Sequence, residues 1–136
     1  MRDIKFRGVS IKGVKWEYGY FSKCNGELII DNGYGFGISI YPNTIGQYTG
    51  LKDRQCKEIY EGDIVEIVDG PTLHPDHCYI GTKFEVFYNQ KSCSFMMRDI
   101  HNKDNTQYFD LDLGGVPPEY LEVIGNIYGD AKIFEY

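Results

Sequence analysis

Apolar and polar residues alternate with a period of two along most of this chain, and the 3.6-residue repeat of an amphipathic helix is nearly absent. IKFRGV sets Ile4 and Phe6 on one face of a strand and Lys5 and Arg7 on the other. KWEYGYFSK groups Trp16, Tyr18 and Tyr20 against Glu17, Gly19 and Phe21. CNGELII carries Asn25-Gly26, a strong hairpin signal, because a type I′ turn needs positive φ at both central residues. A second Asn-Gly, Asn32-Gly33, opens the glycine-rich DNGYGFG, which reads as a turn or bulge. FGISIY then alternates up to Pro42, whose missing amide donor ends a ladder. Residues 1–41 therefore predict a small antiparallel meander.

The second half continues in the same period. DIVEIVD places Ile64, Glu66 and Val68 opposite Val65 and Ile67. GPTLHPDHC is a loop by composition, and YIGTKFEVFYN is a long strand with Phe84, Val86 and Tyr88 together. NQKS turns the chain into CSFMMRDI, an antiparallel partner, and HNKDNT turns it again. QYFDLDL sets Phe109, Leu111 and Leu113 inward and Asp110 and Asp112 outward. Pro117 or Pro118 begins a single helical turn, EVIGNIYG is the last strand, and DAKIFEY reads as a tail strand. Five or six short strands spaced by turns predict a small barrel, a closure that removes exposed strand edges. The expected fold is all-β: an N-terminal antiparallel meander over residues 1–50, then an SH3-like barrel over 51–136.

Composition supports this reading. The 136 residues include 12 Tyr, 8 Phe and 16 Gly, a balance that fits pleated sheets and tight turns. Net charge is −6, unevenly spread. Residues 1–41 hold six Lys/Arg against four Asp/Glu, residues 42–69 three against six, and residues 70–136 five against ten. A protein that wraps nucleic acid non-specifically needs a basic surplus, so bulk nucleic-acid binding is not favoured. No apolar run resembles a secretory leader or membrane span, so the expected compartment is the cytoplasm, with no membrane partner. Cys24, Cys56, Cys78 and Cys93 are then expected to be reduced thiols.

The stretch from Ile45 to Ile67, IGQYTGLKDRQCKEIYEGDIVEI, has a distinct design. Gly46, Tyr48 and Gly50 alternate with Ile45, Gln47 and Thr49, KDRQCKE connects, and Gly62-Asp63 steps into an apolar strand. Gly62 permits a sharp turn, and Asp63 is suited to bond amides two residues on. Read from the residues, the unit is a structural hinge between two β lobes.

This block resembles the signature of the YopX family of phage and prophage proteins, and IKFRGVS and LEVIGNIYGD resemble the family's other two landmarks. Cys56 stands where that family tends to place Gly or a small polar residue. Residues 70–120 match only in their β character. The resemblance implies a small β protein of a phage or prophage from a Gram-positive bacterium, with no established activity. It transfers no catalytic or binding role. Gly46, Gln47, Tyr48, Thr49, Gly50, Leu51, Asp53, Glu58, Tyr60, Glu61, Gly62 and Asp63 are signature positions of unassigned role.

Candidate chemistry is sparse. His74, His77, Cys78 and Cys93 include zinc-type ligands, but no CxxC or HxxxH spacing joins them, so no metal or other cofactor is expected. No nucleophile elbow, P-loop, GxGxxG or HExxH accompanies the histidines His74, His77 and His101, so no enzyme is expected. The aromatic set Trp16, Tyr18, Tyr20, Tyr34 and Tyr41 suits either base stacking beside Arg2, Lys5, Arg7, Lys12 and Lys15, or packing in a core or subunit interface. The leading expectation is a non-enzymatic interaction module, binding a host or phage protein or a second copy of itself. The alternatives are single-stranded nucleic-acid binding and an acidic DNA mimic that occupies a host protein.

Overall fold

The computed structural model describes residues 3–33, 37–70, 80–101 and 116–129, and the backbone of 109–110. Among them are eleven strands and two 3-10 turns, with no α-helix. Contacts divide the chain into two compact units: the first runs to Gly50 and resumes at Tyr128, and the second is Leu51–Ile127.

In the first unit, β1 (Phe6–Val9), β2 (Trp16–Cys24), β3 (Glu27–Asp31), β4 (Gly37–Ser39) and the first part of β5 (Gly46–Lys52) form an antiparallel sheet in the order β4-β3-β2-β1-β5. The β2–β3 hairpin closes at Cys24 opposite Glu27, with Asn25 at φ 51° and Gly26 at φ 82°. That is the turn the Asn-Gly pair predicts. At the second Asn-Gly, Asp31 Oδ1 accepts the Gly33 amide at 2.8 Å, a turn held by a side chain. β2 and β3 lie so close that a Cβ on Gly19 would run into the Asp31 carbonyl.

The meander also curls. Ile40 bridges back to Ser10, and the Tyr41 amide donates to the Val9 carbonyl at 2.9 Å. Pro42 ends the pairing as expected and starts the 3-10 turn Pro42–Thr44. The Thr44 hydroxyl, fully buried, accepts the Val9 amide at 2.9 Å and donates to the Tyr41 carbonyl at 2.6 Å. Buried around these bonds are Val9, Ile30, Ile40 and Tyr48.

Arg7 is unusual for a charged residue. Its side chain is only 6% exposed, with its guanidinium 4.5 Å from the Trp16 ring centroid. Ile4, just before β1, is 50% exposed. A guanidinium stacked on an indole is desolvated at lower cost than a bare cation, so Arg7 fills a position that periodicity gives to apolar residues.

In the second unit, β7 (Asp63–Ile67), β8 (Lys83–Asn89), β9 (Ser94–Asp99), β10 (Phe109–Asp110) and β11 (Leu121–Asn126) form an antiparallel sheet in the order β10-β9-β8-β7-β11. β6 (Glu58–Tyr60) lies beside β5. The order is linear among the described residues, so the sheet is barrel-like without closing. Ile59, Val65, Ile67, Phe84, Val86, Met97, Val116 and Leu121 form one buried cluster, with Leu51, Phe95, Tyr120 and Val123 packed against it. Phe84 and Val86 are inward as the alternation predicts, whereas Tyr88, on the same face near the strand end, is 43% exposed. Pro118–Tyr120 forms the expected single turn. The inward and outward assignments in QYFDLDL, and the tail strand DAKIFEY, lie outside the described residues apart from the backbone of β10.

Candidate functional site

The Ile45–Ile67 block is the natural place to look for a site, and most of its polar groups are engaged in holding the chain together. Its first part belongs to β5. Gly46 and Gln47 pair with Arg7 and Phe6, and the Tyr48 amide donates to the Lys5 carbonyl at 2.8 Å. Tyr48 is buried, with the Lys5 ammonium 5.1 Å from its ring centroid, and Thr49 is half-buried. Gly50 has φ 87° and open space around its missing Cβ. Its need is the left-handed backbone rather than room for a neighbour. Leu51 then joins the second unit's core.

Asp53 is the most heavily used residue of the block. It is 6% exposed, and its carboxylate accepts three backbone amides. Oδ1 takes Gln55 at 2.8 Å and Lys57 at 2.9 Å, and Oδ2 takes Val123 at 2.9 Å. The Asp53 amide donates to the Lys57 carbonyl and the Cys56 amide to the Asp53 carbonyl, so KDRQCKE is a tight turn. Cys56 sits at φ 64°, the left-handed region in which Gly is unstrained. A family preference for Gly at this tip therefore has a backbone cause.

The second turn uses Gly62 and Asp63. Gly62, buried at φ 89°, donates its amide to the Val86 carbonyl and accepts the Ile127 amide, both at 2.8 Å. Asp63 is 1% exposed, and its Oδ2 accepts the Tyr60 amide at 2.8 Å. This bond reaches back three residues and closes the turn from its far side. Glu58 accepts the Tyr60 hydroxyl at 3.1 Å, and Glu61 is half-buried beside this turn.

Each outer landmark is tied to a different part of the central block. IKFRGVS pairs with its start inside the first unit, and LEVIGN is tied to its later part inside the second. Besides Asp53–Val123, the Arg54 amide donates to the Leu121 carbonyl at 2.9 Å, and Gln55 Nε2 donates to Glu122 Oε1 at 2.6 Å.

The other candidates are less organised. His74, His77 and Cys78 lie outside the described residues. Cys93 is an exposed thiol at a hairpin tip with φ 53°. No group of three or more metal-type ligands occurs among the described residues. Local desolvation, followed by the neighbouring Cys93 and Glu61, raises the Tyr88 hydroxyl above an ordinary phenol's pKa. That direction makes the phenol a weaker acid. Tyr34 is outside the described residues, and Tyr41 is half-buried. Trp16 is half-buried between Arg7 and Tyr128, whose ring centroid is 5.9 Å away. Tyr18 and Tyr20 remain outward, 48% and 69% exposed. The basic set is divided: Arg7 is buried, Lys15 pairs with Glu17 at 3.6 Å, and Lys12 is exposed on the β1–β2 turn. In the second unit Glu66, Glu85 and Asp69 pair with Lys83, Arg98 and Arg54, respectively. No helix among the described residues is long and apolar enough to cross a membrane.

A family model described as YopX protein matches residues 3–135. No curated protein matches the chain. A crystal structure of protein EF1440 from Enterococcus faecalis is similar at 21% identity and a TM-score of 0.50, covering 99% of this chain and 100% of that one. At that identity the likeness shows the fold alone.

Proposed function

We propose, from the premise that this chain belongs to the YopX family, that it is a non-enzymatic interaction module of a phage or prophage. It acts in the bacterial cytoplasm by binding another protein or a second copy of itself. The observation that carries this reading is the division of labour among its residues. The signature's buried carboxylates, Asp53 and Asp63, hold backbone amides, while Tyr18 and Tyr20 stand outward on β2. Carboxylates committed to amides are poorly placed for acid–base work, and exposed tyrosines on a rigid strand are suited to protein contact. The second unit serves as an SH3-like scaffold, and the two lobes divide near Gly50.

The alternatives draw less support. Single-stranded nucleic acid needs free cations beside the aromatic face, yet Arg7 is buried against Trp16 and Lys15 faces Glu17. DNA mimicry needs rows of unbalanced carboxylates, and Glu66, Glu85 and Asp69 each have a cation within 4 Å.

An affinity capture from host lysate, split with and without nuclease, tests the reading. The expected result is a protein retained equally in both arms. Recovery that disappears with nuclease would replace this reading with nucleic-acid binding.

A further inference from the structure

Among the described residues, β11 is the outer strand of the second unit's sheet and pairs with β7 on one side. A strand in that position presents unpaired amides and carbonyls, which invite pairing with another chain. The Leu121 amide donates to the Pro118 carbonyl of the preceding turn, and two more of these groups are occupied by the central block. The Leu121 carbonyl accepts the Arg54 amide at 2.9 Å, and the Val123 amide donates to Asp53 Oδ2 at 2.9 Å. A main-chain amide and a side-chain carboxylate thus stand where a neighbouring strand would place its own amide and carbonyl. Beyond them the edge is less protected. The register shifts between Val123 and Gly125, Gly125 has open space around it, and Ile124 and Ile127 are 46% and 48% exposed.

We infer that the Asp53–Lys57 turn is a built-in seal on the edge of β11, and that opening it lets β11 pair with β11 of a second copy. The identity of the partner strand follows from the geometry of the freed groups. Leu121 and Val123 flank Glu122. In an antiparallel pair centred on Glu122, the Leu121 carbonyl of each copy takes the Val123 amide of the other, so the two edges satisfy each other. The same arrangement sets the two Glu122 side chains opposite one another, and like charges there oppose pairing. The intact chain thus carries two restraints: the Asp53 seal and the Glu122 charge.

Asp53→Asn separates the seal from a general role in stability. The carboxylate serves the turn with one oxygen and Val123 with the other. An amide has a single acceptor oxygen and turns an NH2 group toward one side, so either the turn or the seal loses its acceptor. Hydrogen exchange in Asp53→Asn is expected to quicken by about tenfold or more at Val123, or at Gln55 and Lys57, while amides in β7 and β8 keep their wild-type rates. Sedimentation is expected to show a concentration-dependent species larger than wild type, and Asp53→Asn with Glu122→Gln is expected to associate more tightly still. Unchanged exchange at all three amides, or equal acceleration across β7 and β8, would overturn the seal. A double variant with the wild-type mass at every concentration would overturn the self-pairing.

Discussion

The two units are both antiparallel β, yet they are held together differently. The second has a contiguous apolar cluster around Phe84, Val86, Met97 and Leu121, all fully buried. Among the described residues the first buries fewer aliphatic side chains, and it relies on specific polar closures: Thr44 bonded to Val9 and Tyr41, Arg7 stacked on Trp16, and Gly19 against Asp31. It also leaves Tyr18, Tyr20 and Phe21 at least 40% exposed along one strand. Apolar burial is non-directional and tolerates sequence drift, whereas polar closures demand particular residues. The contrast assigns bulk stability to the second unit and a displayed aromatic surface to the first.

Substitutions can break this contrast, beginning with the largest expected effect. Phe84→Ala, in the centre of the second unit's cluster, is expected to cost about 3–5 kcal/mol in urea unfolding. Thr44→Val keeps the volume but removes the acceptor of the Val9 amide, and is expected to cost about 1–3 kcal/mol. A loss for Thr44→Val as large as that for Phe84→Ala would show that the first unit depends on its polar closures more than the contrast allows. Cys56→Gly relieves a left-handed backbone at the signature turn and is expected to stabilise by about 0.5–1 kcal/mol, read as a higher urea midpoint.

Much of the fold is legible from local chemistry. The Asn25-Gly26 turn, the stop at Pro42, the Gly62-Asp63 step and the turn at Pro118 each follow from backbone preferences of the residues themselves. The burial of Arg7 was not legible, because alternation cannot anticipate that Trp16 supplies a face for the guanidinium. Asp53 was visible as a signature position in the KDRQCKE connection, with no role attached. Its bond to Val123 spans 70 positions, and nothing local to either residue announces it. Asp63 was legible as a turn residue, but its bond to the Tyr60 amide was not, since Asp side chains reach both forward and back. For Cys56 a signal did exist: a family preference for Gly at a loop tip already implies positive φ.

The most direct test of whether β2 is the working surface is to assay Tyr18→Ser with Tyr20→Ser for thermal midpoint and for host-protein capture together. Both side chains are largely exposed, so unfolding free energy is expected to stay within about 0.5 kcal/mol of wild type. Capture of the nuclease-resistant partner is expected to fall at least tenfold. Full capture by a folded double variant would contradict the assignment of the contact surface to the first unit's exposed tyrosines.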